Sequence, residues 1–167
     1  MVNQFVRADI VKFSDHRISN YDKIFPLARA PLEIQTLGGD GLKFRRKNQL
    51  SWTNLSGYFI DDVVDSAGAG DWCTAGIIMN LFKLNAIRID DINQDDLIFA
   101  LQFGQALSAL NCTFEGARGL MYNIHRNELI LSIQHIVSSA IKNIPKRTRP
   151  ANTSKTIDSH LKISSLF

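Results

Sequence analysis

Two aspartates enclose a run of small residues, Asp65-Ser66-Ala67-Gly68-Ala69-Gly70-Asp71, and an apolar segment follows at once. If Gly68, Ala69 and Gly70 open a helix, their amides are donors without intrahelical partners, and the helix dipole adds partial positive charge there. Small side chains let a charged group come close to that backbone. This is chemistry suited to a phosphate, or to the charge that develops during phosphoryl transfer. Asp71, in the first turn, would orient an attacking hydroxyl and take its proton late. The plainer reading of the same spacing is a tight turn with Asp71 as N-cap. Local physics leaves both open.

The elements around this run decide where it sits. "ADIVKF" (8–13) reads as a short strand, and the polar "SDHRISNYDKIF" after it as a loop or short helix, with Pro26 and Pro31 bracketing a connection. "LEIQTL" (32–37) is the next strand, and "GGDG" (38–41) the turn that ends it. "LKFRRK" alternates apolar and polar residues as a half-exposed strand does, and "GYFIDDVVD" (57–65) reads as a strand or extended segment. From Gly70 the pattern becomes helical. Trp72, Ala75, Met79 and Phe82 share one face and Cys73, Ile77, Leu81 and Leu84 another, so the helix is expected to be buried all round. Residues 95–110 form a second apolar helix with acids in its first turn. The third is amphipathic, with Leu129, Ile133, Ile136, Val137, Ala140 and Ile144 as its stripe and Pro145 as its end. Strands first and strand-to-helix connections after them predict an α/β layered fold, with the glycine-rich loop at a strand-to-helix edge where such folds bind ligands.

Composition narrows the classes. At 167 residues, 45% hydrophobic and 21% charged, the chain can bury a core and is not of disordered composition. No apolar run approaches the ~20 residues of a membrane span, and the first residues lack a signal-peptide pattern, so the expected location is cytoplasmic with no membrane partner. The net charge of +3 comes from the end of the chain, where Lys142, Lys146, Arg147, Arg149, Lys155 and Lys162 face one acid, Asp158. A solvated, poorly ordered tail over 146–167 is the expectation, and nucleic acid is not an expected partner. Cys73 and Cys112 read as free thiols in apolar surroundings. His16, His125, His135 and His160 have no metal-ligand spacing. The acid run "IDDINQDD" (89–96) lacks the glycine and terminal glutamate of a calcium loop and reads as a solvated loop and helix start. Trp52 and Trp72 read as packing residues.

Four segments together carry a resemblance. "VVDSAGAGDWCTAGI" resembles the C-terminal signature of the PfkB/ribokinase family of carbohydrate kinases. "TLGGDG" (36–41) is similar to that family's strand-turn beside the nucleotide, "ADIVKFSD" to the strand before it, and "ALSALNCTFEGA" (106–117) to the helix end and loop that follow. The resemblance implies a three-layer α/β/α ribokinase-like fold truncated to its C-terminal half, residues 1–145, that transfers phosphate from ATP to a sugar hydroxyl. It implies Asp71 as base, Gly68, Ala69 and Gly70 as anion hole, and Thr36, Gly38 and Gly41 as ATP contacts. It also implies a monovalent cation, usually potassium, on backbone oxygens of Asp65, Ala67, Asn111, Phe114 and Gly116, with Mg2+ arriving on ATP. In two respects the sequence departs from that pattern. Arg17, after Ser14-Asp15-His16, stands where the family carries an acid, and the chain is about half the family's length, without the half that reads the sugar. A missing N-terminal half or partner chain is therefore an expected partner. The alternative is a noncatalytic, nucleotide-binding fragment that acts through such a partner.

Overall fold

A computed structural model describes residues 8–142. Residues 143–167, and with them Ile144, Pro145 and the tail expected over 146–167, lie outside the described residues. The elements run β1 (Ile10–Ser14), α1 (Tyr21–Ile24), β2 (Leu32–Thr36), β3 (Gly41–Arg46), β4 (Thr53–Ser56), α2 (Ala69–Lys83), α3 (Gln94–Asn111), α4 (Gly119–Asn123) and α5 (Arg126–Lys142). One four-stranded sheet has the order β1-β2-β3-β4, with β1 parallel to β2 and the other pairs antiparallel. The α/β class is as the sequence predicts. Among the described residues no helix is long and apolar enough to cross a membrane.

Alternation divides the sheet into two faces. Leu32 and Ile34 of β2, Leu42 and Phe44 of β3, and Leu55 of β4 pack against Cys73, Ile77 and Leu81 of α2 and Leu97, Ala100 and Leu101 of α3. The two helices meet through glycine. A Cβ on Gly76 would lie 2.9 Å from the Gly104 Cα, and one on Gly104 would lie 2.6 Å from the Cys73 carbonyl oxygen. A second cluster joins Phe103, Ala106 and Leu107 of α3 to Ile133 of α5, with Leu129, Ile136 and Val137 beside it. The amphipathic reading of that helix therefore holds at these positions.

The opposite face corrects the reading of "LKFRRK". It is covered rather than half-exposed, because α1 and the 15–31 loop close over it. Phe13, Tyr21 and Trp52 cluster there, and Arg45 is 1% exposed beneath them. Its guanidinium meets the Glu33 carboxylate at 2.8 Å, donates to the Phe25 and Pro26 carbonyls, and lies over the Trp52 ring. Glu33 in turn accepts from the Arg29 and Ala30 amides. A buried pair is tolerated only when its remaining hydrogen-bonding capacity is met in this way.

The expectation that α2 is buried on all sides is also corrected. Cys73, Gly76, Ile77 and Leu81 are buried, while Ile78, Met79 and Phe82 are exposed, because the sheet and α3 lie on one side of the helix only. The acid run becomes a 3-10 turn (Ile89–Asp91) and the start of α3, where the Asn93 side chain accepts from the Asp96 amide. The 57–65 stretch is irregular rather than a strand.

Candidate functional site

A cleft of about 490 Å³ opens between the sheet and the two central helices. Its floor is Gln105, Ser108 and Ala109 of α3 with Cys112 just past the helix end, together with Ala69, Gly70 and Cys73 of α2. One wall is the end of β1 (Ser14, Asp15, His16) and the β2–β3 turn (Thr36, Gly38, Gly39, Gly41). The other is the irregular segment with Tyr58 and Phe59. Positive φ at Gly38 (60°) and Gly41 (110°) shapes the turn, and a Cβ on Gly41 would run into the Leu55 carbonyl. Only glycine combines that φ with so close an approach. Burial pushes the Tyr58 phenol up to about 12.

The Asp65–Gly70 loop is held from three directions. The Asp65 carboxylate accepts from the Ala67 amide on one oxygen and the Gly116 amide on the other, each at 2.9 Å. The Val64 and Asp65 amides donate to the Cys112 carbonyl. Asn111 Nδ2 donates to the Ala67 carbonyl, and Ser108 Oγ to the Ala69 carbonyl at 2.8 Å. Those backbone bonds hold the Asp65 carboxyl below its usual range. Gly68 takes φ 75° and closes on Ala117, where a Cβ would sit 2.8 Å from the Ala117 carbonyl oxygen.

These bonds leave a particular set of donors at the start of α2. The Ala69 amide donates to Ser66 and the Asp71 amide to Gly68. Among the described residues, no bond is made by the Gly68 or Gly70 amide. Lys12 reaches across from β1, its Nζ 3.1 Å from the Gly70 carbonyl. Asp71 follows, exposed in the first turn and outside the cleft's lining.

Of the anion-hole candidates, Gly68 lies outside the cleft's lining. Thr36, Gly38 and Gly41 line the cleft, with Ala69 and Gly70 at its helical end. Asp65 bonds Gly116, Asn111 bonds Ala67, and the Phe114 amide donates to the Asn111 carbonyl, so the five cation candidates form one cluster. Ser14, Asp15 and His16 line the cleft and Arg17 does not. Both thiols are free and line the cleft, and burial pushes each of them up.

Three residues escaped the sequence reading: Lys12, Gln105 and Ser108. Gln105 is 8% exposed with its Nε2 unpartnered among the described residues. Its signal was the i, i+3, i+4, i+7 spacing of Gln105, Ser108, Ala109 and Cys112, a partly polar stripe inside an otherwise apolar helix. Lys12 had no comparable signal.

Among the described residues, Asn111 Oδ1 is buried and without a partner, which suits a cation held by neutral oxygens. Among the described residues, no three His, Cys, Asp or Glu side chains gather where they could hold a metal ion.

No family model matches the sequence, and no curated protein matches it. Solved structures match in fold. Fructokinase from Vibrio cholerae, with fructose, ADP and potassium bound, is 24% identical with a TM-score of 0.56, over 77% of this chain and 40% of that one. Aminoimidazole riboside kinase from Salmonella enterica, with its riboside and an ATP analog, is 20% identical with a TM-score of 0.59, over 78% and 43%. A Burkholderia thailandensis nucleoside kinase with inosine is 14% identical with a TM-score of 0.59, over 78% and 40%. The chain has the ribokinase-like fold of these sugar and nucleoside kinases, over a stretch that spans about 40% of their length.

Proposed function

We propose that the chain carries the nucleotide site and catalytic base of an ATP-dependent carbohydrate kinase. One observation carries the reading. The glycine-lined cleft ends at Ala69 and Gly70 of the α2 N-terminus, where the Gly70 amide is free, with Lys12 on the Gly70 carbonyl and Asp71 one residue beyond. The cleft volume falls in the range of small-molecule sites. ATP lies along it, with Thr36, Gly38 and Gly41 as the turn against the nucleotide and Gln105 Nε2 as a donor to its buried end. The γ-phosphoryl group sits at the Gly68–Gly70 amides, where the helix dipole and the Lys12 ammonium favour negative charge.

Asp71 orients the sugar hydroxyl from the side of α2 outside the cleft. The hydroxyl oxygen bonds to the γ-phosphorus, the bond to the bridging oxygen breaks, ADP leaves, and the proton passes to the Asp71 carboxylate. A potassium ion at Asp65, Ala67, Asn111, Phe114 and Gly116 would supply positive charge behind the amides when bound. Mg2+ would be carried on the nucleotide phosphates.

Calorimetry with ADP, then a coupled ADP-release assay over a panel of sugars with the N-terminal half restored, tests the reading. Asp71→Asn is expected to lower turnover by about 10²–10⁴-fold with ADP affinity unchanged. Turnover that survives the substitution removes Asp71 as base. A second reading, a noncatalytic nucleotide-binding fragment, is favoured by the position of Asp71. It is exposed in the first turn of α2 and lies outside the cleft's lining. ADP binding without turnover on any sugar is its signature.

A further inference from the structure

The carbonyls of the Asp65–Gly70 loop are met by the chain's own donors. The Ser66 carbonyl accepts from the Ala69 amide, and the Gly68 carbonyl from the Asp71 and Trp72 amides. The Ala67 carbonyl accepts from Asn111 Nδ2 at 2.9 Å, and the Ala69 carbonyl from Ser108 Oγ at 2.8 Å. The Gly70 carbonyl accepts from Lys12 Nζ at 3.1 Å and from Thr74 Oγ1 at 2.8 Å. Every carbonyl from Ser66 to Gly70 thus has a donor, and the backbone acceptors of the loop are satisfied without an ion.

Asn111 differs from the other donors in its place and its burial. It is 0% exposed in the last turn of α3, and Ser108, three residues before it, reaches the same loop. The Ala67 carbonyl can only accept, so the end of the carboxamide that meets it is the NH2. The Ala67 amide is tied as well, to the Asp65 carboxylate at 2.9 Å. Ala67 is therefore fixed through both its polar groups, immediately before Gly68. Its carbonyl is also one of the oxygens on which the resemblance places a monovalent cation. At that oxygen an Nδ2 hydrogen already supplies the positive end of the contact. The other end of the carboxamide, Oδ1, has no partner among the described residues and leaves a cation a neutral oxygen besides that of Ala67.

We propose that Asn111 is a positioning residue that holds the anion-binding loop in place of a monovalent cation, so that the nucleotide site of this chain assembles without potassium. The carboxamide acts through Ala67. It fixes the peptide before Gly68 and thereby aims the Gly68 and Gly70 amides, which make no bond of their own among the described residues. A cation at Oδ1 and the nearby backbone oxygens adds positive charge but does not set the shape of the loop. The effect on nucleotide affinity rests on the phosphoryl-transfer reading above, whereas the effect on the loop does not.

The test compares the full chain in potassium chloride and in tetramethylammonium chloride of equal ionic strength, because the larger cation is too bulky for such a cluster. Amide exchange over residues 66–70 reads the loop, with the amides of α3 as internal reference, and calorimetry reads ADP. In the wild type both readouts should agree between the salts within about twofold, a coupling factor near one. Asn111→Ala removes the donor, so exchange of the loop in tetramethylammonium should rise roughly fivefold or more, and potassium should reverse part of the rise. Asn111→Asp keeps the shape, replaces the donor by a carboxylate, and should show the same dependence on potassium. Thermal unfolding checks that both variants fold, and a role in packing alone would not respond to the choice of salt. The proposal is overturned by a wild-type loop that loosens about tenfold when potassium is withdrawn, or by variants as indifferent to potassium as the wild type. A protected loop without ADP binding in either salt removes the proposed function and leaves this inference standing. ADP binding that requires potassium does the reverse.

Discussion

Ile77 and Ile78 are neighbours in α2 with the same side chain and opposite fates. Ile77 is 2% exposed, against Gly104 and the sheet, while Ile78 is 41% exposed on the far face. The inner face is made by small residues as much as by large ones, since Gly76 and Gly104 let the helix backbones approach. The outer face is as apolar but has no such complement among the described residues. Apolar character on a helix therefore reports what it can bury, and the facing element decides what is buried.

The strongest way to break this contrast is to fill the inner seam. Gly104→Val puts a side chain where a Cβ alone would meet the Cys73 carbonyl and, at 3.2 Å, the Ile77 amide. Backbone on both sides cannot give way as a flexible side chain does. A loss of about 3 kcal/mol or more is expected by urea denaturation, and near-wild-type stability would show that the seam is looser than its geometry.

Next in size is the isoleucine pair itself. Ile77→Ala should cost about 2–5 kcal/mol, the range for truncating a large aliphatic core side chain. Ile78→Ala should cost under about 1 kcal/mol in the isolated chain, because its side chain already faces water. Equal losses would mean that the outer face is covered in solution.

The same contrast explains what the sequence could and could not show. Strands 10–14 and 32–36 and helices α2, α3 and α5 were legible because their periodicity is local. The loop at 65–71 was legible because its small residues and its neighbours carry a recognisable order. The exposed side of α2 was not legible, since periodicity cannot say which of two apolar faces has a partner. Nor was the Glu33–Arg45 pair. The alternation of "LKFRRK" is that of a half-exposed strand, and only the aromatic cover from Phe13, Tyr21 and Trp52 makes Arg45 internal. β4 and α4, four and five residues long, are too short for a periodic signal. In the candidate site, Lys12 depended on a contact across 58 positions.

A smaller effect separates the clamped loop from the exposed outer face of α2. Asp65 has its carboxyl held below the usual range by the Ala67 and Gly116 amides. A depressed folded pKa contributes stability that is full above the unfolded value of about 3.9. That stability is lost as pH falls through the lower folded value, because the unfolded chain binds the proton first. Urea unfolding between pH 6 and 3 should therefore show an acid loss in the wild type that Asp65→Asn lacks. Parallel profiles would mean that the 65–68 loop is not held by this carboxylate.

The smallest effect on stability belongs to Asp71, at the junction of the two regions. Its carboxylate is exposed, and its place in the first turn of α2 offers only a favourable interaction with the helix dipole, about 0.3–1 kcal/mol. Asp71→Asn keeps the shape and removes the charge, so its unfolding midpoint should move by no more than that. A residue that matters for folding would respond like Ile77, and one that matters for proton transfer should leave the fold intact while turnover falls. If Asp71→Asn unfolds the chain by several kcal/mol, the aspartate serves the fold rather than proton transfer, although Gly68 and not Asp71 is the N-cap of α2.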